Sequence, residues 1–171
     1  MEKYTTQIKE IDETNSKMSD KMKLVCGGCG TINQFSIEKL DATPMCGMCK
    51  QKLFSGKPIS VNSERLIKHI ENSKLPVLID FWAPWCGPCL SFAPIYDEFA
   101  TRVGNQLRLL KVDTQANEQA SVDFNIRSIP TLSLFLNGEE KGRMSGGIAL
   151  PQLQQWVVQQ LTTEHDAKHP I

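Results

Sequence analysis

The chain has 171 residues, 40% hydrophobic and 22% charged, with 19 basic against 19 acidic side chains and six cysteines. That length suits one domain, or one domain with a small appendage, and can bury a core without disulfide staples. The zero formal charge argues against a broad nucleic-acid patch or an electrostatic membrane binder, and no apolar stretch approaches the roughly 18 residues that a membrane span needs.

Residues 1–23 carry five Lys and five acidic residues (Glu2, Glu10, Asp12, Glu13, Asp20), with scattered apolar residues such as Ile8 and Ile11. This composition reads as a polar, mostly disordered arm, and Met22 offers an alternative start. The arm lacks the apolar block of a secretory signal. The protein is therefore expected in the cytoplasm, where thiols stay reduced and paired cysteines point to metal binding or redox catalysis.

Residues 24–55 form a second segment. It holds Cys26, Cys29, Cys46 and Cys49 but few large apolar side chains, so something other than a core must hold it together. Residues 56–162 alternate between strand and helix patterns. Residues 58–61 read as a short extended piece. Residues 62–72 begin with a capping Asn or Ser and place Leu66, Ile67 and Ile70 on one helical face, leaving His69 on the polar, solvated side. The run PVLIDFW (76–82) suits a strand covered on both faces. A helix over 86–103 carries Leu90, Phe92, Ile95, Phe99 and Val103. Residues 107–112 read as a strand, 117–124 as a short helix with Asn117 as cap, and 131–136 as a strand. Asn137 and Gly138 give a strong hairpin signal, with a return strand near 141–145. The last helix, 151–161, has Pro151 in its first turn and an apolar face of Leu150, Leu153, Trp156, Val157 and Leu161. The order βαβαβαββα predicts an α/β fold, a mixed central sheet flanked by helices. Residues 163–171 read as a polar tail. His165 and His169 are spaced for a helical metal pair, but the tail lacks caps and an apolar face.

Cys86 and Cys89 stand where a strand meets a helix. The first turn of a helix offers unpaired N–H groups and the positive end of the dipole, which stabilise a thiolate and raise its reactivity. The second cysteine lies one turn on, within reach of the first. Pro88 suits that turn because its missing N–H would be unpaired there anyway, and Pro84 helps to end the strand.

The segment PVLIDFWAPWCGPC resembles the active-site segment of the thioredoxin family. Asp80 stands at that family's buried aspartate, Pro94 at its kinking proline, Lys111 at its buried lysine, Ile129-Pro130-Thr131 at its cis-proline loop and Gly146 at its groove glycine. The resemblance covers roughly residues 58–162 and implies the thioredoxin fold and a thiol–disulfide exchange. Cys86 would attack a client disulfide as thiolate and Cys89 would resolve the mixed disulfide. A carboxyl buried in an apolar strand has its charged form disfavoured, so Asp80 suits a proton acceptor for Cys89, modulated by Lys111; the bland reading is a satisfied buried polar group. For Ile129-Pro130, the residues alone leave cis and trans open, and the resemblance implies cis. Trp82, Trp85, Gly87, Pro88, Ile129, Pro130 and Gly146 would then line a groove that pairs with a client's backbone, with Trp82 also serving the core. Leu90 departs from the basic residue that many thioredoxins carry there.

The first four cysteines follow C-x2-C-x16-C-x2-C, a zinc-ribbon spacing. Four thiolates at that spacing suit one Zn2+, with iron or a redox-active pairing as alternatives. Gly27, Gly28, Gly30 and Gly47 permit tight turns, and Lys50 would offset site charge; Met45 and Met48 read as packing for the knuckle. Such a module ahead of WCGPC, followed by LFSGKPI, is similar to the bacterial thioredoxin 2 subgroup.

The expected activity is reduction of cytosolic protein disulfides by a monomer, recharged, as the resemblance implies, from NADPH through a flavin-containing thioredoxin reductase. The metal is either structural or a redox sensor. A second reading is a redox-controlled client-binding module or holdase in which the zinc segment docks partners. Nucleic-acid binding is weak, because residues 24–60 hold four Lys against Glu38 and Asp41, with only Phe35 and Phe54 as aromatics. Four metal-bound thiolates with one Zn2+ would carry about −2, a charge that the formal balance leaves out.

Overall fold

The computed structural model describes residues 21–166. The readings of residues 1–20 as an arm and of His169 as half of a metal pair lie outside the described residues. Among the described residues there are two sheets, a two-stranded antiparallel ribbon and a five-stranded mixed sheet in the order β3-β5-β4-β6-β7. The ribbon is β1 (Lys21–Val25) and β2 (Ile32–Ser36), in register from Lys21 opposite Ser36 to Val25 opposite Ile32. β1 turns Met22 and Leu24 inward and Lys21 and Lys23 outward. Residues 21–23 therefore belong to the ribbon and not to the polar arm, because pairing with a distant strand gives each of them a face. A 3-10 turn (Ile37–Ala42) follows. The ribbon does have a small core: Met22, Leu24, Cys26, Cys46 and Leu53 cluster with Leu75 of the larger unit.

The larger unit runs β3 (Ile59–Ser60), α1 (Ser63–Asn72), β4 (Val77–Trp82), α2 (Gly87–Val103), β5 (Arg108–Asp113), α3 (Glu118–Asp123), β6 (Thr131–Leu136), β7 (Glu139–Ser145) and α4 (Leu150–Asp166). This is the predicted order. β3 and β4 lie parallel to β5, whereas β6 lies antiparallel to β4 and β7. β4 is the middle strand. Leu78 faces a cluster with Phe92, Tyr96, Phe99, Leu153 and Val157, and Val77, Ile79 and Phe81 face one with Leu66, Ile70 and Leu110. Burial on both faces is why its sequence is apolar almost without a break. Asn137 and Gly138 take φ of 53° and 84°, the paired positive angles of a tight hairpin. α4 runs past Leu161 to Asp166, so part of the expected tail is helical. Among the described residues no helix is long and apolar enough to cross a membrane.

α1 starts at Asn62, whose side chain accepts from the Arg65 N–H as a cap should. It buries Leu66, His69 and Ile70 and exposes Ile67. That stripe follows i, i+3, i+4 from Leu66, so His69 is 1% exposed and not solvated. α2 buries Phe92, Tyr96, Phe99 and Val103 as a core face, but Leu90 points outward. The Tyr96 hydroxyl donates to the Leu78 and Leu110 carbonyls and ties α2 to two strands. Asn117 does not cap α3 through its side chain; its amide donates to the Asp113 carbonyl, and the Asp113 carboxylate accepts from the Gln115 and Ala116 N–H groups.

Candidate functional site

β4 ends at Trp82 and α2 begins at Gly87, which brings Cys86 to the N-cap position. The Cys89 N–H donates to Cys86 Sγ at 3.2 Å, so the helix N-terminus points one of its unpaired donors at this sulfur. Cys86 and Cys89 are joined as a disulfide with Cα atoms 5.2 Å apart. Both sulfurs are buried, in a small cluster with Ala83, Trp82 and Ile129. Trp85 and Leu90 stand beside them, 71% and 53% exposed.

The Ile129–Pro130 bond is cis. The Ile129 carbonyl oxygen lies 3.7 Å from Cys86 Sγ, and the Gly146 N–H donates to the Pro130 carbonyl at 2.8 Å. Thr131 Oγ1 donates to the Ser128 carbonyl and sits 3.2 Å from Ser145 Oγ, which holds this loop against the end of β7. Gly146 takes φ of 92°, a conformation that a side chain would strain. The fold thus gathers Cys86, Cys89, Trp82, Ile129, Pro130 and Gly146, with Gly87, Pro88 and Trp85 on the exposed rim.

Asp80, two residues before Trp82 on β4, is paired in register with Lys111 of β5. Asp80 is 1% exposed, and one of its carboxylate oxygens has no hydrogen-bond partner. Burial pushes its pKa up to about 7, against the opposing pull of Lys111. Lys111 Nζ rests 4.8 Å from the centre of the Trp82 ring, a cation–π contact. Such a carboxyl changes protonation near neutral pH, as a group that accepts a proton from a thiol must.

The four remaining cysteines meet in the ribbon. Their Sγ atoms all lie within 4.8 Å of one another, with Cys26 to Cys49 and Cys29 to Cys46 both at 3.6 Å. A tetrahedral Zn2+ with bonds of about 2.3 Å places its sulfurs about 3.8 Å apart, so the set fits that ion. Two matching knuckles build it. The Gly30 N–H donates to the Cys26 carbonyl and the Cys26 N–H to Thr31, just as the Lys50 N–H donates to the Cys46 carbonyl and the Cys46 N–H to Gln51. Gly30 and Lys50 occupy equivalent positions at φ of 75° and 61°. The Cys49 N–H above all, with the Met48 N–H and the Asn33 amide, holds the Cys46 thiol down to about 6 against its burial. Lys50 Nζ donates to the Gly47 carbonyl from an exposed position. Met45 and Met48 do not pack the knuckle but stand exposed.

The ribbon is docked on the larger unit by polar contacts that sequence pattern did not reveal. Arg65 of α1 donates to the Gly27 and Gly28 carbonyls at 3.3 and 2.6 Å. Arg108 of β5 donates to the Val25 carbonyl at 2.6 Å and to the Leu53 carbonyl. Lys74 N–H donates to the Lys23 carbonyl, and the Asn105 amide donates to Leu40 and Asp41. Arg108 is 3% exposed. Burial pushes its pKa down to about 10, with Cys26 acting in the opposite direction, so it stays charged at neutral pH. The one sequence signal was an arginine inside a strand that otherwise reads as buried.

His69 lies in the same interface, with neither ring nitrogen hydrogen-bonded. Burial first, then Arg108, Arg65 and Lys68, push its pKa down to about 3. Between about pH 3 and 6.5 the unfolded chain binds a proton that the folded one refuses, so stability from this group falls as pH falls through that window. Asp80 acts in the opposite sense. Between about 3.8 and 7 the folded chain keeps a proton that the unfolded chain has lost, so stability falls as pH rises. Urea unfolding of the oxidised protein should therefore vary little between pH 4.5 and 6.5. In Asp80→Asn the His69 contribution stands alone and stability should climb with pH, by up to about 1.4 kcal/mol per unit. In His69→Leu the slope should reverse; equal slopes in the two variants would refute the assignment.

A family model described as thioredoxin matches residues 57–159. A second, described as the N-terminal part of thioredoxin 2, a zinc ribbon, matches residues 25–51. Thioredoxin C-3 of Corynebacterium nephridii is 45% identical over 140 residues, spanning 82% of this chain and 96% of that protein. The thioredoxin of Haemophilus influenzae is 35% identical over 103 residues, 60% of this chain and 96% of its own. Among solved structures, chloroplastic thioredoxin z superposes with a TM-score of 0.56 at 26% identity, covering 61% of this chain and 94% of that one. The thioredoxin of Malassezia sympodialis superposes with a TM-score of 0.54 at 28% identity, over 60% and 90%.

Proposed function

The chain belongs to the thioredoxin family, whose members reduce protein disulfides, and on that premise we propose that Cys86 and Cys89 carry this reaction on cytoplasmic client proteins. The observation that carries the reading is the placement of Cys86 at the α2 N-cap, 3.7 Å from the Ile129 carbonyl of the cis-proline loop. In the reduced protein the Cys86 thiolate attacks one sulfur of the client disulfide. The client's other sulfur leaves as thiolate and takes a proton. Cys89 then gives its proton to Asp80, tuned by Lys111, and attacks Cys86 Sγ. The client departs with both sulfurs reduced, and the two electrons have come from the Cys86 and Cys89 thiols, which end as the Cys86–Cys89 disulfide. Trp82, Trp85, Gly87, Pro88, Ile129, Pro130 and Gly146 form the client groove, where extended backbone pairs beside the loop. Electrons return from NADPH through a flavin-containing thioredoxin reductase, and the protein works as a monomer.

The division of labour is a zinc-binding module at 21–55, extended by β1 from the 24–55 read in the sequence, ahead of a thioredoxin domain at 56–162. Cys26, Cys29, Cys46 and Cys49 hold one Zn2+, which supplies cross-linking where the ribbon core is small. A redox-sensing role for these thiolates would add to that structural role. Purified protein should oxidise NADPH in the presence of thioredoxin reductase and insulin; absence of turnover with both would overturn the reading. A second reading, with the ribbon as a client-docking surface, draws support from exposed Met45 and Met48. Serine at both positions should then leave insulin reduction intact and weaken capture of larger clients.

Leu90 lies one turn beyond Cys86 on the same side of α2, its N–H bonded to the Cys86 carbonyl. A cation there would favour the thiolate. Leu90→Lys should raise the fraction of Cys86 present as thiolate at neutral pH, read from thiolate absorbance at 240 nm in the reduced protein. An unmoved titration would leave Leu90 without influence on the nucleophile.

A further inference from the structure

Arg108 is enclosed between β5 and the ribbon, and among the described residues its guanidinium has no carboxylate partner. It is held by two backbone carbonyls and stacks 5.6 Å from the centre of the Phe54 ring. Its Nε, like both nitrogens of His69, has no hydrogen bond. A buried cation satisfied only by neutral carbonyls is costly unless a counter-charge lies close by. The ligand sulfur next along the chain to the Val25 carbonyl that it holds is that of Cys26, a thiolate once a metal is bound. Arg65 repeats the arrangement two residues further on, holding the carbonyls of Gly27 and Gly28, which lie between Cys26 and Cys29. Two guanidinium groups from the larger unit therefore embrace the backbone of the first knuckle. Their summed charge of +2 equals in size the −2 of four thiolates around one divalent ion. Lys50, the cation that follows the last ligand cysteine, sits exposed, where water and salt screen it.

We propose that Arg65 and Arg108 are the internal counter-charges of the metal-loaded four-thiolate centre, so that metal occupancy and docking of the ribbon on the thioredoxin domain are one linked equilibrium. The proposal rests on the zinc reading above and adds how the metal is sensed outside the ribbon. With the metal in place, the two arginines hold the first knuckle against α1 and β5. With it gone, the two knuckles are no longer tied together, the carbonyls of Val25, Gly27 and Gly28 lose the arrangement that seats the two guanidinium groups, and the undocked state is favoured. Linkage runs both ways: the factor by which bound metal favours docking is the factor by which docking favours metal binding. Both arginines are positioning residues that act on the metal through the knuckle backbone.

The test is zinc competition against a chromogenic chelator on the full-length protein, with Arg108→Gln, Arg108→Lys and the milder Arg65→Gln, which alters a half-exposed side chain. Glutamine keeps a donor and loses the charge; lysine keeps the charge. Arg108→Gln should bind zinc about 10- to 100-fold more weakly, Arg108→Lys should recover part of that loss, and Arg65→Gln should lose less. Exchange of the Lys74 amide, which donates across the interface to Lys23, should be slow in zinc-loaded wild type and fast after zinc removal. Insulin reduction should be unchanged in the loaded variants, which confirms that the thioredoxin domain is folded. Wild-type affinity in both glutamine variants, or a Lys74 amide equally protected with and without zinc, overturns the coupling. Wild-type protein that binds no zinc at all overturns the metal reading and this proposal with it.

Discussion

Cys86→Ser is expected to reduce insulin reduction to the uncatalysed background, a loss of about a thousandfold or more. The helix N-terminus that favours a thiolate at this position cannot ionise an alcohol at neutral pH, so the first bond to the client never forms. Cys89→Ser should fail differently. Cys86 still attacks, but nothing displaces the client from it, and a one-to-one mixed disulfide should accumulate and appear by mass spectrometry as a covalent adduct. The pair of results separates nucleophile from resolving residue. Turnover in Cys86→Ser above background, or an adduct mapped to a ribbon cysteine, would move the reaction to the other cysteines.

The second large effect concerns the metal. Cys46 is fully buried and its sulfur meets Cys29, Asn33 and two backbone N–H groups. Cys46→Ser should release zinc, open the ribbon and uncover Leu75, His69 and Arg108, which the ribbon now shields. Losing the ribbon's cover over Leu75 together with the hydrogen bonds that dock it costs about 3–5 kcal/mol, which for a chain of this size lowers the melting temperature by about 10 °C. Insulin reduction should stay within about twofold of wild type, because Cys86 and Cys89 pack in a separate cluster. Thermal melts with parallel zinc analysis check both parts. An unchanged melting temperature after zinc loss would mean that the ribbon contributes nothing to the thioredoxin domain.

Much of the fold was legible because its signals are local. PVLIDFW reads as a buried strand from seven consecutive residues, and the Asn137–Gly138 turn from two. The limits lay in elements with two covered faces. In α1, Leu66, Ile67 and Ile70 looked like one apolar face, yet the ribbon covers the side on which His69 falls and leaves Ile67 outside. The i, i+3, i+4 step from Leu66 to His69 and Ile70 was the available clue, but a polar side chain at i+3 carries no mark of a partner more than 40 residues away. Met22 and Lys23 looked like the end of a polar arm for the same reason, since their partner strand supplies the inward face. Leu90 shares the apolar character of Phe92 and Phe99 on the same helix, yet its position beside the Cys86–Cys89 turn leaves it exposed.

The sequence by itself determined the division of the six cysteines, because chemistry carried within one helix turn or one knuckle is written in spacings of two or three residues. It determined the order of strands and helices, because periodicity is a short-range property of the chain. Only the tertiary structure decided what lies beside what. It set Asp80 against Lys111 through sheet register, brought the Ile129 carbonyl to Cys86 across 43 residues, and enclosed Arg108 between a strand and the ribbon 83 residues before it. These contacts are fixed by which surfaces the whole chain can bury together, and no window of neighbouring residues contains both partners.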